Sequence, residues 1–438
     1  ALIAVGRQLD KIGWGSYQNS VTLNVALAWT TDQMWAAAMG FILSDSAKSF
    51  SLSDSWIGLL GDCFILGLTL GSYGWGFLGD RYGRMFAFKK CVVMAAVASC
   101  GLTFAPNVYT MIPLLVVLGF GVDGELAVGC TVFSEFCPPK KLWMLNLLGG
   151  FWGLGGGLAV LVGLTVFYAN NTSVEDWRVM MFVYFLIEVV AVGFRVFMDE
   201  TPAYYLSIGN EEKAQNIIRK IALKNNKVVD FEDTQSSEFL LEREASIYGL
   251  SLSEQFKKLL GKKELRKTML FTFIYFTSAF SFLGLSIFMP KFLGSEFSTA
   301  QTYLISLLQQ LAGIPGSLLG TWVIESKLGR RGALALGFVL SSLASFVFLL
   351  SSDLGVVLVV VFIMNFGAML SFSALFTMTP ESYPTGIRNL ANGWGCGCAR
   401  IGGLISPPLT GWLLDLLGSE TIPLVLFAVC FGASGLTG

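Results

Sequence analysis

The chain has 438 residues, of which 54% are hydrophobic and 13% are charged, whereas ordinary soluble domains carry about 25% charged residues. With a mean hydropathy of +0.66, this composition excludes a soluble globular protein and indicates an integral membrane protein with many helices. The 29 Lys and Arg residues are balanced by 30 Asp and Glu residues, which excludes a basic field for nucleic acid, and the absence of His excludes a Ser-His-Asp triad and a His-ligated metal or haem.

The eight cysteines do not indicate a metal centre. All of them lie in or beside apolar segments, and no Cys-x-x-Cys pair is present. Cys396 and Cys398 are too close in sequence for an ordinary structural zinc pair, and small residues at helix contacts are the simpler interpretation. We therefore expect no metal and no cofactor, and no nucleophile with a matching base points to an enzyme.

Hydrophobic stretches long enough to cross a bilayer occur twelve times along the chain. One helical span needs about 20 apolar residues, so the sequence predicts an all-α polytopic membrane protein with twelve transmembrane helices. Six predicted spans precede a polar segment and six follow it. In chain order the spans cover residues 21–43, 56–78, 86–105, 110–134, 142–168, 178–198, 268–293, 300–325, 332–350, 354–379, 387–415 and 422–438.

The polar segment divides the chain into a first six-helix unit over residues 1–198, a linker over 199–267 and a second six-helix unit over 268–438. The linker carries several lysine pairs, and its stretch 211–224 has the apolar periodicity of an amphipathic helix. This pattern is typical of a segment that lies on the membrane surface. For residues 225–250 a solvated tether explains the sequence equally well.

The distribution of Lys and Arg predicts the orientation of the chain. The side of the membrane that holds the linker receives 24 of these residues, the opposite side receives three, and two fall within spans. Because basic residues are retained on the cytoplasmic side, both termini and the linker are expected to be cytoplasmic.

Two short motifs recur at one fixed distance along the chain. Gly83 and Gly329 each stand in a Gly-Arg turn after an even-numbered span, 246 residues apart. Glu135 and Glu381 follow the fourth and tenth spans and are separated by the same 246 residues. A shared offset indicates two six-helix units in parallel repeat.

The motifs at these turns resemble those of one transporter superfamily. Residues 76–84 have the pattern Gly-x-x-x-Asp-Arg-x-Gly-Arg, which resembles the signature loop between helices two and three of the major facilitator superfamily. The pair Trp177-Arg178 and the segments Glu200–Leu206 and Pro380–Arg388 resemble signatures of its sugar-porter, organic-ion and synaptic-vesicle-2-like branches. Among these branches, the chain most resembles the synaptic-vesicle-2-related and metabolite–proton symporter group. The resemblance spans nearly the whole chain and implies two parallel-repeat six-helix bundles.

One position departs from the family pattern. Many members have an arginine in helix four, four residues before the first glycine of a Gly-x-Gly sequence, and that arginine is linked to proton handling. Here the glycine is Gly119, and Leu115 occupies the arginine position. The departure argues against proton coupling through this position.

Charged residues at the ends of helices are predicted to form a gate. Arg84 is expected to pair with Glu135, and the repeat places Arg330 or Arg331 opposite Glu381. Such pairs hold one side of the molecule shut and break when the two halves rock. The alternative is that they are surface pairs, which contribute ~0–1 kcal/mol.

Two further charges belong to the same predicted gate. Asp80 is expected to accept hydrogen bonds from the N–H groups of a neighbouring helix start, where the helix dipole favours an anion. Arg388 is expected to begin helix eleven and to serve as a further partner.

Charged residues near the middle of the spans form the predicted binding site, because a charge at the bilayer centre is costly unless it faces a cavity. Asp32 lies in span one, Asp123 and Glu125 lie in span four, and Arg400 lies in span eleven. Burial disfavours the charged form of a carboxylate, so these acids are suited to carry a proton, in the order Asp32, Glu125, Asp123. Residues i and i+2 of a helix lie on different faces, so one acid of span four is expected to be structural.

Arg400 has two interpretations. Its segment resembles helix eleven of organic-ion transporters, where an arginine accompanies anionic substrates, and a guanidinium binds a carboxylate or phosphate by a bidentate fork. Alternatively, Arg400 pairs internally with a carboxylate of the other half, which leaves the cavity acidic. In span six, Glu188 and Arg195 are expected to pair on one helix face.

Polar and aromatic residues complete the predicted pocket. Amides within apolar spans either bind the substrate or hydrogen-bond between helices, and the aromatic rings either stack on a substrate or pack in the core. The residues concerned are Trp152, Tyr275, Gln309, Gln310, Asn365 and Trp394.

The sequence thus predicts a secondary active transporter that moves a small organic anion or polar metabolite by alternating access, with a proton as the co-substrate. The expected partners are a small-molecule substrate, the proton and the lipid bilayer, and no nucleic acid. One alternative is an organic-cation or drug carrier, which the excess of acids at membrane depth favours. The other is a non-transporting receptor or a structural subunit of a membrane assembly.

Overall fold

The computed structural model describes residues 2–141, 144–170, 176–227 and 252–437. Twelve long helices make up most of this part of the chain. They are α1 (Ser16–Ser49), α2 (Asp54–Tyr82), α3 (Arg84–Thr103), α4 (Val108–Phe136), α5 (Met144–Asn170), α6 (Asp176–Val196), α7 (Leu265–Glu296), α8 (Thr299–Glu325), α9 (Gly329–Phe348), α10 (Leu354–Ser382), α11 (Thr385–Leu417) and α12 (Thr421–Thr437). Shorter helices cover Leu2–Ile12, Pro202–Ser207, Glu211–Lys224 and Leu252–Leu259.

The twelve predicted spans correspond to these twelve helices. Among the described residues, nine helices are long and apolar enough to cross a membrane by length and composition alone, and α12 is a shorter apolar helix. α1 and α11 complete the set and carry Asp32 and Arg400 near their midpoints. α1 and α11, the two long helices outside the set of nine, are therefore two that carry a charged residue to the middle of the molecule.

The first bundle (α1–α6) and the second bundle (α7–α12) pack their helices in the same pattern. In the first, α2 packs against α4, α3 packs against α4 and α6, and α1 packs against α5. Six helices later, α8 packs against α10, α9 packs against α10 and α12, and α7 packs against α11. The parallel repeat predicted from the offset of 246 residues is therefore present in the structure.

Equivalent residues also begin equivalent helices. Asn107 caps α4 by accepting a hydrogen bond from a backbone N–H of the first turn at 3.0 Å, and Asp353, 246 residues later, caps α10 at the same distance. Gly83 and Gly329 have φ angles of 116° and 65°, which residues with a side chain rarely adopt. These glycines allow the sharp turns from α2 into α3 and from α8 into α9.

The bundles meet where α1 packs against α7, α2 against α11 and α5 against α8. Behind this interface, α1 and α5 are in direct backbone contact. A Cβ atom on Gly155 of α5 would lie 2.1 Å from the carbonyl oxygen of Thr30 of α1, so only glycine fits there. The helices that surround the interface are thus held in close packing.

The linker helix Glu211–Lys224 packs against the first bundle where α1 begins. It buries an apolar face that includes Ile218 and Ile221, as the periodicity predicts. Asn225 at its end accepts a hydrogen bond from the N–H of Tyr17 at 3.0 Å. We call this end of the molecule the linker end and the opposite end the far end.

The division of the chain into residues 1–198, 199–267 and 268–438 stays a prediction. Residues 228–251, which include most of the predicted tether 225–250, lie outside the described residues.

Candidate functional site

An ion pair joins the two bundles near the middle of the molecule. Arg400 of α11 donates to the carboxylate of Asp123 of α4, and both residues lie close to the midpoint of their helices. The Asp123 side chain is 2% exposed, whereas that of Arg400 is 22% exposed. The guanidinium is therefore the more accessible member of the pair.

Asp32 lies beside this pair. It is 8% exposed and within electrostatic reach of Asp123 and Arg400. Its carboxylate accepts a hydrogen bond from Nε1 of Trp152 at 3.0 Å, and the ring of Trp29 lies 5.8 Å from that of Trp152. Two carboxylates, one guanidinium and two indole rings from α1, α4, α5 and α11 thus meet at one site.

Exposed residues lie between the ion pair and the linker end. Cys396, one turn before Arg400 on α11, is exposed and within electrostatic reach of Arg400 and Asp123. Across the interface on α2, Tyr73 is 62% exposed, and its hydroxyl lies 2.9 Å from the place that a Cβ on Gly397 would occupy. Cys396 and Tyr73 are therefore two exposed side chains between the ion pair and the linker end.

Contacts between the bundles close the far end. Asp415 of α11 accepts hydrogen bonds from the backbone N–H groups of Asp54 and Ser55 at 3.0 and 2.9 Å. These groups begin α2, and a helix start with unpaired N–H groups favours an anion. Lys291 of α7 pairs with Asp54. Two helices of the second bundle therefore bind the first turn of α2.

A second charged cluster is buried inside the first bundle. Arg195 of α6 donates to Glu125 of α4 at 2.5 Å, and the two side chains are 1% and 0% exposed. Thr31 of α1 donates to the same carboxylate at 2.8 Å. Glu188 of α6 is also fully buried and accepts a hydrogen bond from Nε1 of Trp35 at 2.6 Å. The cluster ties α1, α4 and α6 together.

The expected pair between Glu188 and Arg195 is wrong. Seven residues along one helix separate the two by about 10.5 Å of rise, and Arg195 reaches Glu125 on α4 instead. Leu115, at the position where many family members have arginine, is fully buried in the apolar core. The guanidinium inside the first bundle therefore comes from α6. The two acids of α4 do face different surroundings, since Asp123 faces α11.

Two of the predicted pocket residues bond within the second bundle. Asn365 of α10 donates to the backbone carbonyl of Gln309 of α8 at 2.6 Å and is buried. Tyr275 of α7 shares a hydrogen bond with Thr379 of α10 at 3.0 Å. These contacts correspond to the interhelical interpretation of the polar residues, and a role in binding stays a prediction.

The remaining predicted pocket residues are divided between the bundles and their interface. Nε1 of Trp394 on α11 donates to Thr272 of α7 at 2.8 Å, which is again a contact inside the second bundle. Gln310 of α8 packs its amide against Gly156 of α5 and so lies between the bundles. Of the six polar and aromatic candidates, Trp152 is the one in contact with Asp32.

Both expected ion pairs at the linker end are present. Nε of Arg84 donates to Glu135 at 3.1 Å, and Nη2 of Arg330 donates to Glu381 at 2.9 Å, with 51 residues between the partners in each case. The first pair is more buried, at 17% and 7% exposure against 45% and 47%. Of the two candidate partners of Glu381, it is thus Arg330 and not Arg331 that forms the pair. Each pair lies within one bundle, and its gating role stays a prediction.

Asp80 contacts Arg84 and not the N–H groups of a neighbouring helix start that it was expected to bind. Its side chain is 77% exposed and contacts Arg84 at 3.1 Å. Glu200, in the signature segment after α6, accepts from the N–H of Met85 at 3.1 Å with both carboxylate oxygens and so holds the start of α3. Asp80 lies in the last turn of α2, and from there its side chain contacts the guanidinium of Arg84, four residues further along the chain. The side chain of Arg388 lies outside the described residues.

This architecture defines the class of protein. Two parallel six-helix bundles with charged residues between them at mid-depth are characteristic of secondary transporters, and the chain is a multi-pass integral membrane transporter rather than an enzyme. The chain belongs to the Major Facilitator Superfamily, whose family model matches residues 21–407. The predicted fold class and the predicted superfamily are both confirmed.

Relatives and solved structures agree with this assignment. The niacin transporter NiaP of Acinetobacter baylyi (strain ATCC 33305 / BD413 / ADP1) is 26% identical over 411 residues, which cover 91% of this chain and 88% of the relative. The synaptic vesicle 2-related protein of Rattus norvegicus is 26% identical over 444 residues, which cover 96% and 77%. The partially occluded inward-open xylose transporter XylE from E. coli has a TM-score of 0.76 at 16% identity, with 96% and 97% coverage, and shows the shared fold.

Proposed function

We propose that the protein carries a small organic anion or polar metabolite together with a proton, by alternating access between the two bundles. The observation that supports this most directly is the pair between Asp123 and Arg400, which joins the bundles at mid-depth with its guanidinium partly exposed. A substrate carboxylate can replace Asp123 on Arg400 because a guanidinium binds either one through the same fork of N–H groups.

The charge balance of the site gives a reason for a proton to accompany the substrate anion. Asp32 and Asp123, when both are ionised, outnumber the single charge of Arg400, so the site is acidic before the substrate enters. A substrate anion on Arg400 would leave Asp123 buried without a cation, and such a charge costs about 3–5 kcal/mol. Protonation of either carboxylate lowers the net negative charge that the substrate anion adds to the site. We propose Asp32 as the preferred proton carrier, because no cation of the described residues forms an ion pair with it.

The difference between the two ends of the molecule supports one direction of access. Asp415 contacts Asp54 across the bundles at the far end, while Cys396 and Tyr73 are exposed between Arg400 and the linker end. We propose that this is an inward-facing state with the linker end in the cytoplasm, in agreement with the excess of Lys and Arg there. Opening to the other side requires the first turn of α2 to leave Asp415. The pairs of Arg84 and Arg330 are the proposed gate residues of the linker end.

The names of two relatives narrow the substrate class. Besides the Acinetobacter baylyi protein, the putative niacin/nicotinamide transporter NiaP of Bacillus subtilis (strain 168) is 25% identical over 389 residues, which cover 88% of this chain. Niacin is an aromatic carboxylate. Its carboxylate matches Arg400, and its ring matches the indole rings of Trp29 and Trp152. Niacin is therefore the substrate to test first.

A second candidate function, the transport of an organic cation, has its own support. Asp32 lies against Trp152, with Trp29 beside it, and a carboxylate next to aromatic rings is a favourable setting for a cation. In this case Arg400 stays paired with Asp123, and the cation binds Asp32.

Uptake of labelled niacin into proteoliposomes under an imposed pH gradient tests the proposal. The variant Arg400→Gln/Asp123→Asn removes both members of the pair together and is expected to fold and to lose uptake at least about tenfold. Asp32→Asn is expected to keep niacin exchange but to lose accumulation driven by the gradient. Asp45→Asn, which removes a carboxylate of the same helix that pairs with Lys48, is the matched control.

The outcomes separate the two candidates. Uptake that survives the double substitution would remove Arg400 from the substrate site. Transport of tetraethylammonium that depends on Asp32 and not on Arg400 would establish the cation carrier instead. Accumulation that persists in Asp32→Asn would show that another group carries the proton.

A further inference from the structure

Two cavities open at the linker end of the second bundle, away from the ion pair. The first has a volume of about 590 Å³ and is lined by the ends of α7, α9, α10 and α12. The second has a volume of about 480 Å³ and is lined by the helix Leu252–Leu259, the turn that follows it and the start of α11. Ser382 at the end of α10 lines the first cavity, and Pro384 just before α11 lines the second. The proposed substrate site includes neither cavity, although the proposed gate pair of Arg330 and Glu381 lines the first.

Basic side chains surround both cavities. Seven Lys and Arg residues line them, together with two carboxylates. Each carboxylate is already paired, Glu264 with Lys267 and Glu381 with Arg330. The other five basic residues form no ion pair with any described residue. They are Lys257, Lys258, Lys262, Lys263 and Arg331.

The surface beneath these charges is apolar. Leu270, Phe271 and Ile274 of α7 line the first cavity. In the short helix Leu252–Leu259, Phe256 packs its ring 6.3 Å from that of Trp394, while the lysines of this segment are exposed. A basic rim therefore lies over an apolar surface at the point where α7 enters the membrane.

The repeat of the fold does not require these charges. The positions 246 residues before the four lysines hold Lys11, Ile12, Ser16 and Tyr17, and the position before Arg331 holds Met85. The first bundle thus forms the same helices with one basic residue where the second bundle has five. The basic rim is a property of the second bundle alone and calls for an explanation other than folding.

We propose that the two cavities bind the headgroup of an anionic phospholipid, with its acyl chains on the apolar surface of α7. Clusters of four or more basic residues next to a transmembrane helix attract anionic lipids, and an amphipathic helix holds them at the interface. Arg331 supplies a fork of N–H groups for the phosphate. A free phosphate matches the rim but leaves the apolar surface uncovered, which favours the lipid.

Native mass spectrometry of the full chain in detergent tests this site. The protein is titrated with phosphatidylglycerol and, separately, with phosphatidylcholine of the same acyl chains. The cavity variant is Lys258→Gln/Lys262→Gln/Arg331→Gln. The control is Lys90→Gln/Lys140→Gln/Lys141→Gln, which removes three exposed charges from the same end of the molecule. Because all six residues are exposed, both variants are expected to keep the melting temperature of the parent.

The parent chain is expected to bind phosphatidylglycerol more tightly than phosphatidylcholine. The cavity variant is expected to weaken phosphatidylglycerol binding about tenfold or more, and the control less than about twofold. An equal loss of phosphatidylglycerol binding in both variants would show that overall charge explains the effect, and it would overturn the proposal. Full displacement of the lipid by millimolar glycerol phosphate or inorganic phosphate would assign the site to a soluble anion, and binding unchanged by the cavity substitutions would place the lipid elsewhere.

Discussion

Replacement of Arg195 by methionine tests whether one guanidinium holds the buried cluster of the first bundle. Methionine keeps much of the apolar stem of the side chain but leaves the carboxylate of Glu125, which is 0% exposed and 2.5 Å from the guanidinium, without a cation. Loss of one partner of a buried pair costs about 3–5 kcal/mol, or roughly 150-fold to 5,000-fold in the folding equilibrium. The contact of Arg195 over the ring of Phe88, at 4.3 Å, is lost as well.

The double variant Arg195→Met/Glu125→Gln is expected to recover most of this stability, because it removes both charges together. Thermal unfolding in detergent, followed with a thiol-reactive dye that labels Cys91 when the bundle opens, measures the difference, since Cys91 is fully buried. A single variant that melts like the parent, or a double variant no better than the single one, would refute the reasoning.

Three further predictions follow from the two ends of the molecule. In a background with the other cysteines replaced, Cys396 is expected to react with a membrane-impermeant maleimide supplied at the linker end and not at the far end. Labelling from the far end and not from the linker end would contradict the proposed inward-facing state. Arg84→Gln is expected to lower the melting temperature more than Arg330→Gln, because the pair of Arg330 is half exposed and is screened by solvent. Equal shifts in melting temperature would show that burial does not make the pair of Arg84 the stronger one. Asp415→Ala is expected to make Cys396 more accessible to the same reagent supplied at the far end. Unchanged labelling from the far end would show that Asp415 does not hold that end closed.

The fold was predictable from the sequence because two signals agreed. The hydrophobic stretches defined the number of helices, and the offset of 246 residues between Gly83 and Gly329 defined the repeat. Both signals are local or periodic, so they do not depend on knowing which helices pack together. For the same reason the pair Arg84–Glu135 was predictable, and so was its equivalent in the second bundle, a pair of Glu381 with either Arg330 or Arg331.

The candidate site was predictable in its charges but not in their partners. A charge inside an apolar span is visible in the sequence, whereas its partner depends on the rotation of two helices about their axes. Arg195 was therefore assigned to its own helix rather than to Glu125. Asp415 and Glu200 gave no sequence signal for their contacts, because each accepts from backbone N–H groups, which every residue except proline provides.

The backbone contact at Gly155 has a consequence for the proposed motion of the bundles. Because α1 and α5 leave no room for a side chain at this point, and Trp152 of α5 donates to Asp32 of α1, we expect these two residues to move together. In the proposed alternating access, Arg400 of the second bundle would move relative to them. The distance between α1 and α11 would then set the width of substrate that fits between the bundles, and a pair of spin labels on these two helices would measure it.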